Sequence, residues 1–350
     1  MSFNRFFPAA VSIAAAVMLC GCFSTPPRHV FPSATPAAVA ENHVTSQRIK
    51  EFRRITGGFK ERGIGIYPEA FEERVQAAEV VKRIEQLGFN RVYCCITTER
   101  ALNDQLTGLI KLLGEKNIPV EIVLFQRDYY RVFHTNQLLR PLVPGYLSFK
   151  EAVEKVIGFN NDLPEEVKKI SGVTLVIEPH CFSNSNVERS HGKLYAWEED
   201  RYGIGKDNDM LMRDAFRQLK EISALPGLPS LRIAMHDFFH SKAEKGELSC
   251  GRISDFQKFG QVMVINSGNV PTQLVKSVED ELKAAGKSPL LVVIPLAGHI
   301  SENEGRLRRR DWRDFCRALD YAGKHFKKYP SFHGVVVSPL AVIEFLRQEK

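Results

Sequence analysis

Eight short apolar runs recur along this chain, and most of them end in a polar or charged residue just before a loop. Segments with helical periodicity separate these runs, and strands that alternate with helices pair in parallel through right-handed crossovers. The runs are rich in β-branched residues, as expected of strands that are covered on both faces. They predict strands at 63–67, 91–97, 120–125, 173–178, 231–237, 261–266, 290–296 and 332–338.

Eight strand–helix units predict an α/β protein with a closed (β/α)8 barrel, the TIM barrel; the alternative is an open doubly wound sheet. Apolar periodicity places helices at 46–60, 73–87, 101–115, 149–159, 210–222, 253–259, 270–285, 312–326 and 340–347. Three long polar loops, at 126–147, 181–206 and 238–252, follow strands. We therefore expect all three loops on one face of the barrel, where long loops are usually functional.

The N-terminus has the features of an export signal. Arg5 precedes an apolar stretch from Ala9 to Leu19, and Leu19-Cys20-Gly21-Cys22 resembles the lipobox of bacterial lipoproteins. This resemblance implies a signal peptide at 1–21 and attachment of lipid, including palmitate, at Cys22. It also implies that the protein is anchored to a membrane of the bacterial cell envelope. Residues 22–45 are rich in Pro, Ala and Ser and are expected to form a tether, which leaves 46–350 for the barrel.

Export would expose the cysteines to an oxidising compartment. Cys181 and Cys250 both fall in loops after strands, so a disulfide between them is one option. Cys94 and Cys95 are adjacent within a strand and are expected to fill the core on opposite faces.

The formal net charge is +7, and an arginine-rich cluster lies at 306–313. We expect it to lie beside an anionic membrane surface and expect no nucleic-acid partner.

The run 172–180 is the most informative, because a buried strand ends there in Glu178, Pro179 and His180. Active sites of parallel barrels lie at the C-terminal ends of the strands, so polar residues at these ends should converge. The apolar strand before Glu178 predicts a raised pKa for its carboxyl. The predicted catalytic residues are Glu178, Asp237 and Glu69, and the predicted substrate-binding residues are Tyr67, Arg127, His180, His236, Asn266, His299 and Trp197.

Two short motifs resemble glycoside hydrolase family 18, the chitinase family. Gly172 and Glu178 match the Gly and the acid Glu of its fourth-strand motif, and Met235-His236-Asp237 resembles its Tyr-Asp strand end. The resemblance implies that Glu178 is the general acid for cleavage of an oligosaccharide or polysaccharide. Val176 stands where the family has an Asp that assists N-acetyl participation, and Val336-Val337-Ser338 stands where a Trp is expected. The motif is therefore degenerate.

Two other functions remain open. A lipid-anchored barrel could bind glycans without cleaving them, through loop aromatics such as Trp197. Alternatively, the pattern Asp237-x-x-His240 resembles that of metal-dependent sugar isomerases, and Glu178, His180 and His299 would supply further ligands. No P-loop or dinucleotide-binding glycine motif follows a strand, and we expect neither a cofactor nor a resident metal.

Overall fold

The computed structural model describes residues 46–67, 77–96, 101–126, 131–133, 137–139, 148–179, 205–266, 271–294 and 312–337. All of them belong to one compact unit, residues 40–350. The predicted signal peptide, tether and last helix, as well as residues 306–311 of the arginine-rich cluster, lie outside the described residues.

Eight parallel strands close into a barrel, which confirms the predicted fold. In their order around the barrel, the strands are β1 (Glu61–Ile66), β2 (Arg91–Ile96), β3 (Val120–Phe125), β6 (Gly172–Val176), β7 (Ser230–His236), β8 (Gln261–Ile265), β9 (Leu290–Ile294) and β10 (Phe332–Val337). A short antiparallel hairpin, β4 (Arg131–Phe133) and β5 (Gln137–Leu139), lies in the segment that was expected to be a long loop.

The helices form the outer layer. They are α1 (Ser46–Thr56), α2 (Ala77–Leu87), α3 (Asp104–Glu115), α4 (Phe149–Asp162), α5 (Gly205–Ser223), α6 (Asp237–Glu244), α7 (Ile253–Phe256), α8 (Pro271–Lys276), α9 (Glu279–Ala284) and α10 (Trp312–Phe326). None of the described helices is long and apolar enough to cross a membrane.

Local sequence explains why the helices form where they do. In α2, Val80, Val81, Ile84 and Leu87 make a buried stripe at helical spacing. Gly88 then takes a φ of 77°, a left-handed conformation that glycine adopts without strain and that ends the helix. Helix α4 begins with a capping box in which Ser148 accepts from the backbone N–H of Glu151, and Glu151 accepts from that of Ser148.

Two predictions about helices were wrong. The segment 238–252, predicted as a loop, contains most of α6. The predicted helix at 270–285 is interrupted between α8 and α9, where Val278 has a non-helical ψ of 4° and a fully buried side chain. The helix is therefore interrupted at the residue whose side chain packs into the core.

Side chains alternate between the barrel interior and the outer core, as strand geometry requires. One cluster fills the interior: Tyr93, Cys95, Val123, Val176, Ala234, Met263, Leu291 and Val336. The neighbouring strand positions, such as Cys94, Leu175 and Ile233, pack under the helices instead. The prediction that Cys94 and Cys95 fill the core on opposite faces is thus confirmed. Cys250 is a free thiol, and Cys181 lies outside the described residues.

Buried charges occupy the barrel interior at the N-terminal ends of the strands, an end that we call the base. The Arg232 guanidinium binds both carboxylate oxygens of Glu61, at 2.6 and 3.0 Å, and its Nε lies 3.3 Å from Glu121 Oε1. Arg91 Nη1 donates to Glu121 at 2.6 Å, and Thr174 Oγ1 donates to its second oxygen at 3.0 Å. The Tyr93 hydroxyl donates to Glu61 and accepts from Arg232. This base network holds two carboxylates and two guanidinium groups, so its charges balance.

Helix α1 covers the base beside the first and last barrel helices. Phe52 packs against Phe89 with ring centroids 5.1 Å apart, and Phe59 meets Phe332, the first residue of β10, at 5.3 Å. A Cβ added to Gly323 of α10 would lie 2.6 Å from the Phe59 ring, so this close approach requires glycine. The helix predicted at 46–60 is thus confirmed over Ser46–Thr56.

Candidate functional site

The C-terminal ends of the strands, which we call the mouth, carry a different set of residues from the base. Tyr67, Phe125, Ile265 and Val293 continue the interior face of their strands and are partly buried. They give the upper interior an aromatic and aliphatic wall. An apolar wall with a few polar groups is the usual make-up of a small-ligand site.

Glu178 and His236 are brought together at this mouth. Val176 pairs with Ala234 in the β6–β7 register, so the residues two positions further on face each other across the same two strands. His236 Nε2 lies 3.6 Å from Glu178 Oε1, and the side chains are 12% and 6% exposed. Because Val176 and Ala234 belong to the interior cluster, strand alternation directs Glu178 and His236 inward as well.

The backbone holds Glu178 in place beyond the end of β6. Its N–H donates to the side-chain oxygen of Gln126 at 3.0 Å, and Gln126 is 2% exposed. The preceding N–H, that of Ile177, donates to the carbonyl of Ala234 at 2.9 Å. Glu178 therefore sits on an extension of the sheet rather than on a free loop, which fixes where its carboxyl lies.

Aromatic rings orient His236. The imidazole stacks on Phe238, with centroids 5.3 Å apart and 26° between the planes, and meets the edge of Phe239 at 5.9 Å. Both phenylalanines lie in the first turn of α6, for which His236 is the N-cap residue. Both phenylalanines were expected to lie in a loop, and the pair Phe238-Phe239 directly after a strand was the signal that could have indicated aromatic packing on His236.

Asp237, a predicted partner carboxylate, is the first residue of α6 and is 4% exposed. Its charge acts on Glu281 of α9. Burial, and then the negative charges of Asp237 and Asp280, raise the pKa of Glu281 from 4.5 to about 8. Asp237 thus belongs to the strand–helix interface.

Asn266 also faces the outer layer, contrary to the prediction that it binds substrate. It follows the interior residue Ile265 and is fully buried. Its side-chain amide donates to the carbonyl of Leu274 in α8 at 2.6 Å, and its backbone N–H donates to the carbonyl of Val293 at 3.1 Å. These bonds tie the end of β8 to β9 and to the helix outside it.

The described residues contain no group of three or more His, Cys, Asp and Glu side chains arranged to hold a metal ion. His240 is buried in α6, and burial lowers the pKa of its imidazole. The other proposed ligands, His180 and His299, lie outside the described residues, as do the predicted site residues Glu69, Arg127 and Trp197. Of the predicted site residues that are described, Tyr67, Glu178 and His236 share the barrel interior.

Comparison with known proteins gives no close relative. No family model matches the chain, and no curated protein matches it. Among solved structures, an intracellular xylanase of Thermoanaerobacterium saccharolyticum is 10% identical, with a TM-score of 0.46 over 85% of this chain and 91% of the xylanase. An endo-β-N-acetylglucosaminidase of Cordyceps militaris is 11% identical, with a TM-score of 0.43 over 88% and 87%. An HpcH/HpaI aldolase of Desulfitobacterium hafniense is 10% identical, with a TM-score of 0.35 over 82% and 90%. Similarities this weak do not indicate which reaction the chain performs, and the barrel topology itself establishes the fold.

Proposed function

We propose that this protein is a carbohydrate-active TIM barrel that cleaves a glycosidic bond, with Glu178 as the general acid. The observation that supports this most is the Glu178–His236 pair at 3.6 Å, buried and turned into the barrel at its C-terminal end. A buried carboxyl at a barrel mouth can deliver a proton to a leaving oxygen while the surrounding wall excludes water. Tyr67 and Phe125 provide aromatic surface on which a sugar ring can pack.

Glycoside hydrolysis usually needs a second carboxylate on the other side of the sugar ring. Our candidates are Asp237, which directly follows β7, and Glu69, which follows Tyr67 after the end of β1. Around the barrel, β7 is next to β6, whereas β2 and β3 separate β1 from β6. In this proposal the chain is a remote, degenerate relative of glycoside hydrolase family 18.

The test is a screen of aryl glycosides and natural glycans with the unsubstituted protein and with Glu178→Gln. Gln keeps the size of the side chain but has no acidic proton, so we expect a loss of roughly 10²–10⁴-fold in kcat. Glu115→Gln, an exposed position at the end of α3, is the matched control and should retain full activity. Equal rates for Glu178→Gln and the unsubstituted protein would show that Glu178 is structural. Glycan binding without any cleavage would instead support the noncatalytic alternative.

We also propose that the chain is a lipoprotein of the bacterial cell envelope, anchored through Cys22. The lipobox-like run that ends at Cys22, followed by a Pro/Ala/Ser-rich segment, supports this assignment. Expressed in a bacterial host, the full chain should incorporate labelled palmitate and enter the detergent phase, and Cys22→Ala should do neither. Palmitate label on the Cys22→Ala protein would contradict the assignment.

A further inference from the structure

Two segments that the structure describes carry an excess of positive charge. Residues 46–60 contain five basic residues and one acidic residue, and residues 312–328 contain five basic and two acidic residues. Their net charges are therefore +4 and +3, which together equal the +7 of the whole chain. Positive and negative side chains balance over all other residues.

The fold places these two segments side by side, although more than 250 residues separate them in sequence. Helix α1 packs directly against α10. Arg54 Nη1 lies 3.9 Å from Asp320, which also pairs with Lys324 at 2.6 Å. The Asp320 side chain is 27% exposed, whereas those of Arg54 and Lys324 are 66% and 71% exposed. The acidic group is recessed and the cations stand outermost. We call the exposed basic side chains of this surface the basic face: Lys50, Arg54, Arg317, Lys324, Lys327 and Lys328.

A tyrosine lies within the basic face. Tyr321 is the exposed large hydrophobic residue of the described chain, and its ring lies 4.2 Å from that of His325. Tyrosine is favoured where a protein meets a bilayer, because its ring is apolar and its hydroxyl remains in contact with water. Cations around an exposed tyrosine therefore suit a lipid headgroup layer.

We infer that the basic face binds the surface of an anionic bilayer, in addition to the lipid proposed at Cys22. Its basic side chains are spread over α1 and over α10 with the residues that follow it, so they suit a charged plane better than a small anion. It begins with α1, the first described helix after the segment that contains Cys22, so a lipid anchor would deliver the domain to the membrane at this side. A single lipid signal combined with a polybasic surface binds membranes more stably than either does alone.

This binding would orient the site. Arg53 of α1 donates to the carbonyl of Glu85 near the end of α2, and Phe59 lies against the first residue of β10, so α1 lies at the base. The Glu178–His236 pair lies at the opposite end of the barrel. With the basic face on the bilayer, the mouth turns away from the membrane surface.

The test uses residues 40–350, which form a compact unit containing the closed barrel and its core and lack Cys22. Sedimentation with phosphatidylcholine vesicles, with and without phosphatidylglycerol, measures binding that no covalent lipid supports. We expect binding only to the vesicles that contain phosphatidylglycerol. Salt should weaken it, because the Debye length falls from about 30 Å at about 0.01 M to about 8 Å at about 0.15 M ionic strength.

A fourfold variant tests the basic face itself: Lys50→Gln, Arg54→Gln, Lys324→Gln and Lys327→Gln. A basic residue near an anionic bilayer raises partitioning about fivefold, so we expect at least a ~10-fold loss of binding. The matched control removes the same charge from exposed lysines of α2, α3, α4 and α5: Lys82→Gln, Lys111→Gln, Lys155→Gln and Lys220→Gln. It should bind within about twofold of the unsubstituted domain, and circular dichroism melts should show both variants folded.

Three results would overturn the inference. The first is an equal loss of vesicle binding in the two fourfold variants, which would show that binding depends on net charge rather than on the basic face. The second is displacement of the domain from vesicles by double-stranded DNA at a lower phosphate concentration than that of the lipid, which would favour a nucleic acid. The third is no binding to phosphatidylglycerol at low salt, a result that would leave lipid attachment at Cys22 unaffected.

Discussion

The two ends of the barrel interior use charged side chains in different ways. At the base, each carboxylate meets a guanidinium group: Glu61 binds Arg232, and Glu121 binds Arg91. At the mouth, the inward carboxyl of Glu178 has an imidazole beside it instead, at 3.6 Å. In parallel barrels, polar residues at the N-terminal end serve stability, whereas those at the C-terminal end serve chemistry.

The pKa shifts at the base show how a balanced network keeps its charges. Burial alone would raise the pKa of Glu61, but its hydrogen bond to Arg232, the charge of Arg232, the Tyr93 hydroxyl and Arg91 lower it overall. For Glu121, burial outweighs Arg232 and Arg91, and the pKa is raised. Ion pairing at the base thus competes closely with desolvation, and removal of one partner should leave a buried charge uncompensated.

The largest effect on stability is expected at the base. Arg232→Met removes the group that binds Glu61 and contacts Glu121, so the free energy of unfolding should fall by about 3–5 kcal/mol. The matched control is Arg54→Met, whose exposed ion pair with Asp320 should contribute less than about 1 kcal/mol. Chemical denaturation of both variants measures the difference. Similar losses of unfolding free energy in the two variants would contradict this expectation, because the base network would then contribute no more than an exposed ion pair.

A smaller effect, dependent on pH, is expected in the outer layer, where the buried Glu281 of α9 has acidic neighbours. Its pKa is about 8 in the folded protein and 4.5 as the reference value. Between these values the folded state binds more protons than the unfolded state, so this residue makes stability fall as pH rises through that window. Glu281→Gln cannot ionise, so its melting temperature should match that of the unsubstituted protein near pH ~4.5 and exceed it by about 5 °C or more near pH ~9.

Melting curves across this pH range check the expectation, with the exposed Glu115→Gln as the control. A constant difference between Glu281→Gln and the unsubstituted protein at every pH would show that Glu281 does not titrate in this window.

The smallest of these effects separates structural from ligand-binding residues at the mouth. Asn266→Ala removes the donor to the Leu274 carbonyl and should cost about 1–3 kcal/mol of unfolding free energy. Because Asn266 faces the helices, kcat/KM of the folded variant should stay unchanged on whichever glycoside the screen identifies. Asn161→Ala, at an exposed position at the end of α4, is the control for stability. A selective rise in KM would restore Asn266 to the substrate site.

The fold was largely predictable because it depends on local periodicity. The bounds of β3 and α10 match the predicted ones, since their apolar patterns are regular and end abruptly. Helix α6 was not predicted because its N-cap residue, His236, makes no side-chain capping bond, so the usual sequence signal at a helix start is absent. Side-chain direction at the strand ends proved harder. The sequence shows Asn266 as an amide at a strand end, but only its place after the interior residue Ile265 indicates that it turns outward.

The base network could have been predicted from the sequence, but it was not. Glu61, Arg91, Glu121 and Arg232 are charged residues at or near the starts of otherwise apolar strands, and a closed barrel must bring such residues together. Their exact pairing depends on the strand stagger, which no local pattern gives. The pairing of Glu178 with His236 depends on the β6–β7 register in the same way.

The base network also governs how molecules can move through this barrel. Glu121 and Tyr93 are at most 1% exposed, and they stand within the interior with Arg232 across it. The base network therefore fills the described barrel interior at its N-terminal end, so a ligand would reach Glu178 from the mouth. In the proposed cleavage reaction, a product that remained there would occupy the space needed by the next substrate molecule, so we expect competitive product inhibition.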